Sequence, residues 1–162
     1  MKKVVASIII FLCVVCLYTP AQAEVDGDTR NEIFTALHEA FQAQLRLTNE
    51  HYSKEKAMNT LLPYFEKSYA EKFLDDNMVQ EAQGYTVYGS DFALHYIPYF
   101  SYDEQTKVAV HPSMQKAYVF EYFPAVKDGP VSYVGHYEML TLTRHEGKWK
   151  VSGFTYSNQK PS

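Results

Sequence analysis

Between Asp28 and Leu47 the apolar residues Ile33, Phe34, Leu37, Phe41 and Leu45 recur every three or four positions, with Ala36, Ala40 and Ala43 among them. That is the period of one helix face. Asp28 or Thr29 supplies a side-chain oxygen to cap the first free amides. Ser53 precedes a shorter pattern, Ala57, Met58 and Leu61, which predicts a second helix. Pro63, whose missing N–H costs nothing in a first helical turn, opens a third. Its apolar side is Tyr64, Phe65, Tyr69, Phe73 and Leu74, and Asn77 is its stop. From Met78 to Thr106 no period holds, because Gly84, Gly89 and Pro98 interrupt it; Tyr85 to Tyr88 is a candidate short strand. After Lys107 the period becomes two. Val108 and Val110 alternate with Lys107, Ala109 and His111. Ala117, Val119, Glu121 and Phe123 share one face, and Tyr118, Phe120 and Tyr122 the other. Val131 to Arg144 is a long strand with Tyr133, Tyr137 and Met139 on one side and Val134, Leu140 and Leu142 on the other. Glu146-Gly147 is a tight turn. Trp149, Val151, Phe154 and Tyr156 close the chain, with Trp149 and Val151 on the core side.

Short turns between successive strands predict an antiparallel meander. Helices first and strands afterwards predict an α+β domain, with N-terminal helices packed on a curved antiparallel sheet. No repeat, low-complexity tract or linker divides it. The expected boundaries are a loose N-terminus at 24–27, one domain at 28–157 and a tail at 158–162.

The first 23 residues follow another logic. Lys2 and Lys3 precede an apolar run from Val4 to Tyr18, and Ala21-Gln22-Ala23 follows. This is the order of a secretory signal peptide, with cleavage between Ala23 and Glu24. The run is shorter than the roughly 20 residues a membrane helix needs. The expectation is a secreted, extracellular protein with no stable membrane span after processing. Cys13 and Cys16 are the chain's two cysteines, and both lie in this segment. The remainder therefore has no disulfide, no thiolate nucleophile and no cysteine-ligated zinc. The full chain carries 15 basic and 19 acidic residues, net −4; without Lys2 and Lys3 the balance is 13 against 19, near −6. With no basic patch, nucleic acid is not an expected partner, and anionic lipid is an unattractive surface.

Catalytic motifs are missing. There is no G-x-S-x-G, no phosphate loop and no dinucleotide fingerprint. None of the six histidines pairs at the i, i+4 spacing of a zinc protease, although His136 and Glu138 share a strand face. No metal or cofactor is expected. Asp103 and Glu104 lie in a polar turn without the ligand order of a calcium loop. Asp91 opens the stretch "DFALHYIPYFSYDE" beside Phe92. An aromatic neighbourhood can raise a carboxyl pKa and make it an acid or base; capping a turn after Gly89-Ser90 is the other use.

Tyrosine outnumbers phenylalanine, 14 to 10. Tyrosine buries a ring while keeping its hydroxyl wet, which suits contact surfaces; ordinary packing is the alternative. Pro98 makes the stretch after Asp91 a loop or edge strand. Phe100, with no polar handle, is its expected anchor. At least two of Tyr96, Tyr99 and Tyr102 are expected to be partly exposed, forming one patch with Tyr133 and Tyr137 and with Asp91 at its edge.

The ending "LTLTRHEGKWKVSGFTY" and the helices-then-meander order resemble the nuclear-transport-factor-2-like (cystatin-like) cone architecture. The stretches "LLPYFEKSYAEKFLDDN", "YTVYGSDFALHYIPYFSYDEQTKV" and "YVFEYFPAVKDGPVSYVGHYE" look like an uncharacterised family of small secreted proteins from Bacillus-like bacteria, over most of residues 28 to 155. That resemblance implies a compartment and a domain extent and brings no catalytic residues. The functional expectation is a secreted, non-catalytic binding module of the outer cell envelope that engages an envelope protein, peptide or small ligand. The alternative is a small pocket enzyme using Asp91 and a tyrosine as acid and base.

Overall fold

The computed structural model describes residues 25–89, 94–111, 113–127 and 132–161. The leader, the Ala23–Glu24 junction and Asp91 lie outside the described residues. Helix α1 spans Gly27–Arg46, and its cap is Asp26, whose side chain accepts the Thr29 N–H at 2.8 Å. The helix thus starts before the expected Asp28 or Thr29. Asp28 instead sits in the first turn, where a carboxylate faces the positive end of the helix dipole. Helix α2, Lys54–Leu61, is capped by Ser53 as its sequence predicts, with the hydroxyl accepting the Lys56 N–H at 3.1 Å.

Helix α3 runs from Lys67 to Asn77, so Pro63 does not open it. Pro63 lies in the turn after α2 because the chain beyond it is held extended by a distant strand. Val151 N–H donates to the Tyr64 carbonyl at 2.9 Å, and Glu66 N–H donates to the Val151 carbonyl at 2.8 Å. This parallel bridge at Phe65 keeps residues 64–66 out of helical geometry.

Strands β1, Met78–Glu81, and β2, Gly84–Val87, form a two-stranded antiparallel sheet. Strands β3 (Lys107–Val110), β4 (Lys116–Phe123), β5 (His136–His145) and β6 (Lys148–Ser157) form the main antiparallel sheet in that order. The protein is an α+β fold with its helices ahead of its main sheet. Glu146 and Gly147 have φ of 49° and 80°, the positive values that a two-residue hairpin loop demands. Register places Ala117 opposite Leu142 and Val119 opposite Leu140. These four and Val151 are buried against Ile33, Leu37 and Ala40 of α1, Leu61 of α2 and Phe73 of α3. The β5–β6 register shifts between Thr141 and Leu142, and the Ser152 hydroxyl donates to the Thr141 carbonyl at 3.2 Å. Such a bulge increases the local twist of the sheet. Trp149 is 6% exposed, on the core side with Val151, as strand parity predicts. No helix among the described residues is long and apolar enough to cross a membrane.

Candidate functional site

Two buried polar side chains fasten the segment from His95 to Thr106. Gln44 of α1 acts as a piece of backbone. Its Nε2 donates to the His95 carbonyl and its Oε1 accepts the Ile97 N–H, both at 2.9 Å. Tyr69 adds its hydroxyl to the same carbonyl at 3.2 Å. At the far end, one carboxylate oxygen of Glu121 accepts from the Thr106 hydroxyl at 2.6 Å and the Ser101 N–H at 2.9 Å, with the Ser101 hydroxyl oxygen 3.1 Å away. The Thr106 hydroxyl in turn accepts the Tyr102 N–H at 2.8 Å. His95 and Tyr102 take φ of 64° and 56°. Non-glycine residues adopt this conformation only when their surroundings over-determine it, and these bonds supply that constraint. Asp103 closes a polar turn, accepting from Ser101 Oγ and Gln105 N–H at 2.7 Å each. The Ser101 hydroxyl is the main cause of its lowered carboxyl pKa.

The tyrosines of this loop divide. Tyr99 is 79% exposed and meets Phe41 edge-on at 5.4 Å. Tyr96 is half-buried with its ring edge-on to Phe73 at 5.0 Å, and its hydroxyl is buried without a partner. Tyr102 is half-buried among Phe34 at 5.1 Å, His38 at 4.1 Å and Phe100 at 6.1 Å. Phe100 is buried, as expected of the anchor.

Tyr133 and Tyr137 belong to a second cluster at one end of the main sheet. Its centre is the buried His136. Nε2 of His136 lies 3.0 Å from a Glu138 carboxylate oxygen, and Nδ1 lies 2.9 Å from the Val134 carbonyl. The imidazole is stacked between Tyr156 at 4.3 Å and Phe123 at 5.6 Å, with Tyr133 edge-on at 5.3 Å. Tyr137 follows His136 on the strand and so faces the other way, where it packs on Tyr122 at 5.0 Å. Gly135 makes room there, since a Cβ on it would fall 2.1 Å from the Tyr122 hydroxyl. Tyr122, Tyr133, Val134 and Tyr156 are exposed.

The expected single patch is therefore two clusters. Among the described residues no ring contact joins Tyr96, Tyr99 or Tyr102 to Tyr133 or Tyr137. The link runs inside, from Phe100 to Phe123 at 6.3 Å and on to His136. Tyr96 and Tyr102 turn toward the helices because Phe73, Phe34 and His38 offer them apolar cover. Sequence reasoning missed Gln44, whose polarity interrupts an apolar helix stripe. The pairing of His136 with Glu138 was legible in their shared strand face.

Burial pushes the Tyr96 hydroxyl up to about 12; burial and the nearby Glu121 charge push Tyr102 to the same value. Burial also raises Tyr69. Unfolded tyrosine titrates near 10. The fold favours the protonated phenols, so their contribution to stability is complete below about pH 10 and is lost as pH rises through about 12. Absorbance titration is expected to show a group of early phenols and a late step coincident with unfolding. Titration of every tyrosine near 10 with intact circular dichroism would overturn this assignment.

Among the described residues no group of three or more His, Cys, Asp or Glu is placed to hold a metal ion. Two hollows remain. A small one of about 170 Å³ lies among Met58, Leu74, Met78 and Tyr85. A groove of about 690 Å³ runs between α1, Pro63-Tyr64 and the β5–β6 turn.

No curated protein and no solved structure matches the chain. A family model described as "Protein of unknown function (DUF3993)" matches residues 29–123, from the first turn of α1 to the end of β4. With more than half of its length inside that match, the chain belongs to the DUF3993 family.

Proposed function

We propose that the chain is a secreted, non-catalytic binding module of the outer cell envelope. Its cone-like architecture and its setting in Bacillus-like bacteria are part of the same proposal and rest on the sequence resemblance. The observation that carries the reading is the exposed pair Tyr133 and Tyr156, both packed on the ring of the buried His136. Large apolar side chains exposed side by side mark contact surfaces, and tyrosines give rigid contact area at low entropic cost. The stacked imidazole and its bonds to Glu138 and Val134 hold Tyr133 and Tyr156 in place before any partner arrives, which lowers the cost of ordering on binding.

The enzyme reading needs Asp91 and a tyrosine to exchange protons near neutral pH. The raised pKa of Tyr96 and Tyr102 works against that, because catalytic groups perform best near the operating pH.

Isolated cell envelope is the test material. The chain is expected to co-sediment with it, and Tyr133→Ser with Tyr156→Ser to weaken co-sedimentation about tenfold, as loss of an aromatic hot spot does, with little change in melting temperature. Failure of the unaltered chain to co-sediment would refute the proposal. Processing has its own check. Intact mass of protein from culture medium is expected to begin at Glu24, and a species retaining residues 1–23 in the membrane fraction would contradict secretion.

A further inference from the structure

Both ring nitrogens of His136 are set against an oxygen. Nδ1 lies 2.9 Å from the Val134 carbonyl and Nε2 lies 3.0 Å from the Glu138 carboxylate. A carbonyl and an ionised carboxylate only accept hydrogen bonds, and a neutral imidazole has a single N–H to give. Imidazole is the stronger base of the pair, so the proton shared with Glu138 rests on Nε2. The arrangement is complete only when both ring nitrogens carry a proton.

Burial of His136 works against a charged ring. The groups packed around it work the other way. On β5, Glu138 is its ion-pair partner. On β4, Glu121 stands opposite Glu138 in the register, and like charges so placed are destabilising. Among the described residues no lysine or arginine forms an ion pair with either carboxylate, so a positive His136 is what relieves the repulsion. Phe123 of β4 and Tyr156 of β6 stack on the ring at interplanar angles of 14° and 23°, and aromatic faces attract a cation. Tyr133, edge-on, is the remaining titratable group against it.

Loss of one proton has a directed result. A hydrogen bond to a carboxylate is stronger than one to a carbonyl. The neutral ring therefore keeps its proton on Nε2 and bares Nδ1, whose lone pair then faces the Val134 carbonyl. That contact closes the short loop Val134-Gly135-His136, and Val134 is exposed, so the carbonyl turns to water once the bond is gone. Tyr133 precedes Val134, and its edge-on contact with the imidazole shifts with that loop.

We infer that His136 is a proton-operated clasp on the aromatic surface. With both protons on the imidazole, Tyr133 and Tyr156 are set in place for a partner. With one proton gone, the loop at Gly135 opens and the pair loses its common support. Engagement is strengthened in mildly acidic medium and weakened in mildly alkaline medium. That regulation rests on the binding role proposed above for the same surface; the clasp itself does not.

The clasp is read by NMR on the ¹⁵N-labelled chain with no partner present. At about pH 5 both His136 ring nitrogens are expected to be protonated. Between about pH 5 and 9, which spans the titration of histidine, Nδ1 is expected to lose its proton and Nε2 to keep it. The ring signals of Tyr133 and Tyr156 are expected to shift with the same midpoint. Glu138→Gln removes the opposing charge and should lower that midpoint by about 1 unit or more. A single protonated nitrogen at about pH 5, tyrosine signals that do not follow the histidine, or an unmoved midpoint in folded Glu138→Gln each overturns the clasp. Regulation is read by co-sedimentation with cell envelope. Between about pH 5.5 and 8.5 binding of the unaltered chain is expected to fall about tenfold. His136→Phe keeps a ring in the stack and cannot titrate, so its binding should change less than about twofold. If that variant sediments at neither pH, Glu138→Gln decides, and its loss of binding must centre lower by the shift seen in the NMR titration. Equal sedimentation of the unaltered chain at both pH values, or an equal fall in the phenylalanine variant, overturns the regulation. An unaltered chain that sediments at neither pH refutes the binding role, and the NMR titration still decides the clasp.

Discussion

Replacing Gln44 with leucine is expected to destabilise the fold by about 2–4 kcal/mol, because it strips a buried donor of its partner and weakens a buried acceptor. Gln44 is fully buried, and its amide meets the Ile97 N–H and the His95 carbonyl. Leucine fills similar volume, so the loss reads the hydrogen bonds rather than a cavity. The Ile97 N–H would be orphaned in the core, whereas the His95 carbonyl would keep Tyr69. In a chain of this size the melting temperature should fall by about 5–15 °C. Glutamate at position 44 gives a signed control. Its carboxylate accepts from Ile97 but repels the His95 carbonyl, and only the protonated form donates there. Burial and that carbonyl raise its folded pKa, so the variant should be steadiest at acid pH and lose stability as pH rises through that value. Urea unfolding measures all of this. A leucine variant within about 1 kcal/mol of the parent would show that the loop is not held from α1.

Trp149→Ala should cost about 3–5 kcal/mol, the range for deleting a large buried ring. The ring lies in the same buried cluster as Val151, and Arg144 stacks on it at 5.3 Å. Trp149→Phe separates packing from polarity. The indole N–H makes no bond within the fold, so phenylalanine forfeits volume and no hydrogen bond. A cost for phenylalanine of about 1 kcal/mol is expected, as for modest losses of core volume. Denaturation that finds phenylalanine as damaging as alanine would mean that the N–H has an acceptor within the folded chain.

How far the sequence reached depends on where each decision is made. The face of α1 was legible because Ile33, Leu37 and Ala40 recur at helical spacing and a single stripe can be buried. Ser53 was legible as a cap because a cap bonds three residues ahead. The parity of Val119, Leu140 and Val151 followed from period two. Pro63 was misplaced because its local preference for a helix start is weaker than the pairing of Tyr64 and Glu66 with Val151, a residue far along the chain. The aromatic loop was recognised as a loop, but the directions of Tyr96, Tyr99 and Tyr102 were not readable. They follow from Gln44 and Glu121, which lie about 50 and 20 residues away in sequence and set the backbone between them.

The sequence by itself determined what rests on neighbours within a turn or two: three helices, period-two strands, the Glu146-Gly147 hairpin and an α+β order. Period and local capping act over a few residues, so they survive without knowledge of the fold. The tertiary structure alone decided which tyrosines face solvent and that His136 sits between Phe123 and Tyr156. Those are contacts between segments distant in the chain. Their geometry is chosen by how helices and sheet close on one another, and no local pattern records it.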